Sequence, residues 1–178
     1  MRGGELTEVL FIGGRAGAGK TTVAYETARL LAEAGIAHAH IEGDNLDEAH
    51  PAPWRQGLRL AELNLAAMWR NYRDAGYTRL IYANTVSVLE QAALIEALGG
   101  EVRATAVLLT ATDATVRARL TARELGSGLD AHLERSARTA RELDTGAPES
   151  VHRVATDGRP LAVIAREIVA LTGWARRD

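Results

Sequence analysis

Gly14-Arg15-Ala16-Gly17-Ala18-Gly19-Lys20-Thr21 brings glycines, a lysine and a hydroxyl into one short stretch. Polyphosphate binding needs this mixture. Glycines let backbone N–H groups close on the anion, the lysine reaches its terminal phosphates, and the threonine hydroxyl can ligate the accompanying Mg²⁺. The spacing fits a P-loop. Gly14, Ala16, Gly17, Ala18, Gly19, Lys20, Thr21 and Thr22 are therefore expected to hold ATP, with Thr21 on the metal. Lys20 is also the only lysine in a chain that otherwise carries its positive charge on arginine.

A second chemical stretch is Glu42-Gly43-Asp44. Two acids two residues apart at the end of a strand point the same way if strand geometry persists. One, Glu42, could hold water on Mg²⁺ while the other, Asp44, accepts a proton from an incoming hydroxyl. The plainer alternative is a loop in which Asp44 or Asn45 caps a helix. Downstream, Trp54 and Arg55 lie in a proline-bearing loop and suit a substrate lip, a ring for a planar group and a guanidinium for an anion. Trp54 as a hydrophobic plug under that loop is the competing assignment. Asn84 follows an apolar strand where many P-loop enzymes carry a metal-holding aspartate; its amide could hydrogen-bond a phosphate or a metal-bound water, leaving the acid role to Glu42 or Asp44.

Arginines form the third cluster. Arg119 and Arg123 share a helix face, and Arg135, Arg138 and Arg141 recur every third residue beyond Gly126-Ser127-Gly128. This reads as a short lid, about residues 119–138, closing arginines over the triphosphate, with Arg123 as the leading catalytic candidate beside Lys20 and Asp44. Compensation by Glu124, Glu134 and Glu142 alone is the structural alternative. His38 and His40 could pair on a metal, but without a third ligand nearby they are expected to be ordinary strand residues.

The elements that must position these groups follow from hydrophobic spacing. Apolar runs at 9–12, 37–41, 77–83, 102–109 and 151–155 read as strands. Helical spacing covers 21–34, 58–72, 87–98, a segment after Asp113, 132–143 with Asp130 as its cap, and 161–171 behind Pro160. In the second helix Leu60, Leu63 and Ala67 and, less regularly, Met68, Trp69 and Tyr72 are the expected apolar positions. Strands each followed by a helix imply an α/β fold, one doubly wound parallel sheet with helices on both faces.

The chain of 178 residues is 47% hydrophobic and 25% charged, the size and polarity of a single domain spanning 1–178. Its net charge of −2 gives no basic field, so nucleic acid is not an expected partner. The absence of cysteine excludes disulfides and thiolate chemistry. No apolar run is long enough to span a membrane and no signal-peptide plan is visible, so a soluble cytoplasmic protein is expected.

Together the P-loop, the acid pair, the arginine-rich lid and the Asp157-Gly158-Arg159 turn resemble the nucleoside-monophosphate-kinase-like small-molecule kinases, a group that includes gluconate, shikimate and adenylylsulfate kinases. Ile41 to Leu46 is similar to the Asp-Gly-Asp-Asn segment of adenylylsulfate kinases. That resemblance implies that Asp44 sits beside the accepting hydroxyl, that Arg119 and Arg123 contact adenine and phosphates, and that Gly158 and Arg159 lie on the adenine side. It also implies the sheet order 2-3-1-4-5. After Leu46 the chain departs from the adenylylsulfate kinase pattern, leaving the acceptor unnamed. The expected function is ATP- and Mg²⁺-dependent phosphotransfer to a hydroxyl of a small molecule, a metabolite or an antibiotic. A nucleotide-binding module or regulatory ATPase without an acceptor, and a polynucleotide kinase, are the alternatives.

Overall fold

In the computed structural model, which describes residues 5–122 and 128–175, the run Val9-Leu10-Phe11-Ile12 has no free edge and no free face. It forms β1 (Thr7–Gly13), parallel to β3 (Arg79–Ala83) on one side and β4 (Val102–Thr110) on the other. β2 (Ala39–Glu42) pairs beyond β3 and β5 (His152–Ala155) beyond β4, both parallel. The order β2-β3-β1-β4-β5 is the one implied by the resemblance.

Alternation along β1 separates two cores. Val9 and Phe11 pack with Leu65 and Trp69 of α2 (Leu60–Asp74), Leu94 of α3 (Gln91–Leu98) and Leu143 of α5 (Leu129–Gly146). Leu10 and Ile12 face Val23 and Leu31 of α1 (Lys20–Glu33) and Ile164 and Ile168 of α6 (Leu161–Thr172). α4 (Asp113–Thr121) joins α5 through Val116, Leu120 and Leu133. Helices therefore cover both sheet faces. No helix of the described residues is long and apolar enough to cross a membrane.

The rotation of α2 and the starts of α3 and α5 differ from the sequence expectation, each for a local reason. The buried stripe of α2 is Leu65 and Trp69, whereas Leu63 is 64% exposed and Met68 is at the surface. Trp69 fixes that rotation, because its indole Nε1 donates to the buried Thr7 hydroxyl at 3.3 Å. α3 starts at Gln91 rather than Ser87, since Asn84 and Ser87 commit the preceding residues to turns: Asn84 Oδ1 accepts from the Val86 N–H at 2.8 Å, and Ser87 Oγ donates to the Asn84 carbonyl at 3.2 Å. α5 begins immediately after Gly128, which places Asp130 inside its first turn instead of at the cap, and it runs on to Gly146.

Replacing Trp69 by alanine is expected to cost about 3–5 kcal/mol, because it empties a fully buried site and leaves the Thr7 hydroxyl unpaired. Chemical denaturation reads this directly; a loss below about 1 kcal/mol would show that α2 is not anchored there.

Candidate active site

The P-loop owes its shape to glycine. Gly14, Gly17 and Gly19 have φ of 152°, 83° and 101°, values that side-chain-bearing residues rarely adopt. At Gly17 a Cβ would also lie 3.0 Å from Val116 of α4. Gly19 is the N-cap of α1 and provides no side-chain cap, so the first turn of the helix turns its favourable dipole end to the loop. Ala16, Gly17, Gly19, Lys20, Thr21 and Thr22, with Leu120 and His132 from α4 and α5, line a pocket of about 260 Å³.

Strand order brings the acids to this pocket. All strands run parallel, so their carboxyl ends share one edge of the sheet. Glu42 closes β2, and its Oε2 accepts from the Thr21 hydroxyl at 3.3 Å. Its Oε1 lies 3.1 Å from His40 Nε2, yet neither buried atom makes a well-aligned hydrogen bond. Burial holds the His40 imidazole below its usual pKa despite the neighbouring Glu42 carboxylate. Tyr25 covers it edge-on, with ring centroids 4.9 Å apart. Hard oxygen donors from Thr21 and Glu42 suit Mg²⁺, which keeps several waters and needs few protein ligands when it also binds phosphates. No group of three potential metal-binding side chains occurs among the described residues.

Asp44 does not continue the strand. Gly43–Asn45 form a 3-10 turn that carries it away from Glu42 and toward Lys20, whose Nζ is 3.7 Å from Asp44 Oδ2. The backbone N–H and hydroxyl of Thr85, just beyond β3, hold the two carboxylate oxygens at 2.9 and 3.2 Å. The two acids thus serve different places, Glu42 beside Thr21 and Asp44 beside Lys20, and the expectation that they point alike is corrected by the turn. Gly43 makes the turn possible: a Cβ there would lie 2.3 Å from the Tyr82 ring and 2.4 Å from its hydroxyl. Tyr82 itself is buried, which raises its phenol pKa, with Glu90 adding to the effect.

On the opposite flank a groove of about 360 Å³ runs past Gly17, Gly19, Thr22, Arg119 and Arg159. Arg119 Nη1 donates to the carbonyls of Gly17 and Ala18 at 3.1 Å each and to Thr156 Oγ1 at 3.0 Å, while Nη2 bonds the Thr156 carbonyl at 3.1 Å. Its Nη1 hydrogens are thus spent on the protein, while the flat face of the guanidinium borders the groove and can stack on a planar ring. Arg159 donates to the Ala155 carbonyl at 2.9 Å and pairs with Glu167, beside Gly158 at φ 61°. Asp157 ties this turn to α4: hydrogen bonds from Thr115, and from the Thr112 backbone and hydroxyl, pull its carboxyl down to about 2.

The other expected residues fall as follows. Trp54 lies in a 3-10 turn, Pro53–Gln56, and is 59% exposed, which rules out the plug beneath the loop; Arg55 is exposed beside it. Asn84 spends its side-chain oxygen on Val86. Arg123 and the glycine-serine tip at 126–127 lie outside the described residues, and Arg135, Arg138 and Arg141 are exposed on α5. Sequence reasoning missed Thr85, Thr156, Arg15 and Ser136. Only Arg15 carried a signal, as a charged side chain inside a loop that has to become buried.

Gly43→Ala is expected to destabilise the protein by about 1–3 kcal/mol through overpacking against Tyr82, and Tyr82→Leu added to it should recover most of that loss. Denaturation of the single and double variants checks the contact; an unchanged single variant would contradict it.

The profile of the adenylylsulphate kinase family matches residues 6–51, the span from β1 through the P-loop and α1 to the acid turn. No curated protein matches the chain significantly. Among solved structures, a gluconokinase from Sinorhizobium meliloti 1021 is 21% identical with a TM-score of 0.61, covering 93% of this chain and 91% of that one. The tunicamycin resistance protein of Deinococcus radiodurans is 20% identical with a TM-score of 0.63, over 94% and 96%. The APS kinase of Mycobacterium tuberculosis, solved with AMPPNP and APS, is 20% identical with a TM-score of 0.55, over 93% and 96%. Over nearly its whole length the chain shares the fold of these solved proteins, built here on the five-stranded sheet of order β2-β3-β1-β4-β5.

Proposed function

We propose that this protein is a cytoplasmic ATP- and Mg²⁺-dependent phosphotransferase that moves the γ-phosphate to a hydroxyl of a small molecule. The observation that carries this reading is the 3.7 Å separation of Lys20 and Asp44, which puts a phosphate-binding cation and a candidate base in one site. The similarity to proteins named gluconokinase and APS kinase supports the same class of reaction.

Lys20 and the loop N–H groups would hold the β and γ phosphates, and the groove along Arg119 and Arg159, with Gly158 in the adjoining turn, would take the adenine end. Thr21 and Glu42 would hold Mg²⁺, which when bound neutralises charge on the phosphates. Asp44 would accept the proton of the acceptor hydroxyl as its oxygen bonds to the γ-phosphorus and ADP departs. Thr85 steers both Asp44 oxygens, leaving each a second lone pair for that proton. Arg123 remains a proposed contact to the transferring phosphoryl group, while Trp54 and Arg55 are proposed acceptor contacts.

Asn84 favours one other reading, a nucleotide-binding module or regulatory ATPase, because it supplies an amide where an acid is common and turns its oxygen to Val86. A metabolite and antibiotic panel, scored by ATP-dependent mass gain of one phosphate, separates the two. A phosphorylated product establishes transfer; slow hydrolysis indifferent to every compound would establish the module. With the acceptor in hand, Lys20→Ala should lower kcat/KM by about 10²–10³-fold. Asp44→Asn should lower kcat by about 10²–10⁴-fold while leaving ATP affinity within about threefold, and full activity in that variant would remove Asp44 as the base.

A further inference from the structure

Arg15 sits inside the P-loop motif, yet its side chain touches no part of the phosphate pocket and is only 6% exposed. A buried guanidinium is costly unless paired and hydrogen-bonded. Its partners come from two helices outside the loop. Nε donates to Ser136 Oγ of α5 at 2.8 Å, and Nη1 reaches the Asp113 carboxylate at the start of α4 at 2.5 Å. Ser136, 2% exposed, continues the chain by donating its hydroxyl to the Ala16 carbonyl at 2.9 Å. His132, one helical turn before Ser136, lines the phosphate pocket.

We propose that Arg15 and Ser136 are paired positioning residues that make the phosphate-binding shape of the P-loop depend on the placement of α5. The proposal rests on reading that loop as the nucleotide site. A peptide unit is planar, with its C=O and the following N–H antiparallel. Holding the Ala16 carbonyl on Ser136 therefore turns the Gly17 N–H to the opposite side, toward the pocket that Gly17 lines. Gly17, at φ 83°, has no side chain to fix its orientation, so hydrogen bonds must do it. Arg15 strengthens the arrangement by donating to the same hydroxyl that donates to Ala16, since hydrogen bonds in series polarise one another. Asp113, 81% exposed, supplies the countercharge of the guanidinium from the solvent side, while Ser136 is its buried hydrogen-bond partner.

Hydrogen exchange of the whole, nucleotide-free protein tests this without any assumption about activity. In Ser136→Ala and in Arg15→Gln, the Ala18 amide, which donates to the Arg15 carbonyl at 3.1 Å, should exchange about tenfold faster while those of β1 keep their protection. Calorimetry with AMPPNP should show affinity weakened about five- to tenfold in each single variant and no further in the double variant, because the two act as one unit. Unchanged loop exchange in Ser136→Ala, or losses that multiply in the double variant, would overturn the pairing. If the unaltered protein fails to bind AMPPNP, the kinase reading falls by itself, and the exchange result still decides whether the loop is coupled to α5.

Discussion

The 3.7 Å between Lys20 and Asp44 is the constraint that the rest of the architecture serves. The lysine opens α1 after β1, and the aspartate follows β2, a strand that does not touch β1. Their meeting requires β3 to lie between the two strands and all three to run in the same direction. An antiparallel β2 would carry Asp44 to the far end of the sheet, roughly 13 Å away for a four-residue strand. The parallel order in turn requires helical crossovers, and these bury both faces of the sheet in the two cores. The apolar run of β1 is thus a consequence of where the charges must be as much as a source of stability.

Within that frame, one residue separates the two acids by role. Strand geometry would leave Glu42 and Asp44 side by side, two like charges competing for one cation. The 3-10 turn at Gly43 instead sends Asp44 to Lys20 and leaves Glu42 with Thr21. Tyr82 occupies the space that a Cβ at position 43 would need, so its ring both supports the turn and restricts it to glycine. Thr85 then holds Asp44 from the neighbouring strand end, and the acid is fixed from two directions.

Local chemistry made much of this visible in the sequence. Gly14 to Thr21 announces itself because phosphate binding, positive φ and a helix start all demand particular residue types at particular spacings. The strands were legible because double-sided burial leaves near-continuous apolar runs. The rotation of α2 was not, because Leu63 and Leu65 are chemically equivalent and only the distant Thr7, through Trp69, chooses between them. An adenine-side role for Arg119 and Arg159 was suggested only by resemblance, and the actual partners of Arg119 depend on β5 lying beside β4. Ser136 gave no signal at all: a serine in a helix full of arginines becomes meaningful only once Ala16 and Arg15 are seen against it.

Arg119, one of the arginines expected over the phosphates, supports the loop from behind. Arg119 takes the carbonyls of Gly17 and Ala18, Thr156 takes that of Ala18 as well, and Ser136 takes that of Ala16. Three successive carbonyls are thereby claimed by side chains of α4, α5 and the β5 end. Because each C=O opposes the next N–H, fixing the carbonyls of Ala16 and Ala18 outward presents the N–H groups of Gly17 and Gly19 on the other side, while that of Ala18 closes the loop on the Arg15 carbonyl at 3.1 Å. These contacts come from the chain itself, and such contacts lower the entropy cost of ordering a glycine-rich segment around an anion. Positive charge placed behind the loop adds a second benefit: it reinforces the field felt by an anion without occupying the volume the anion must fill.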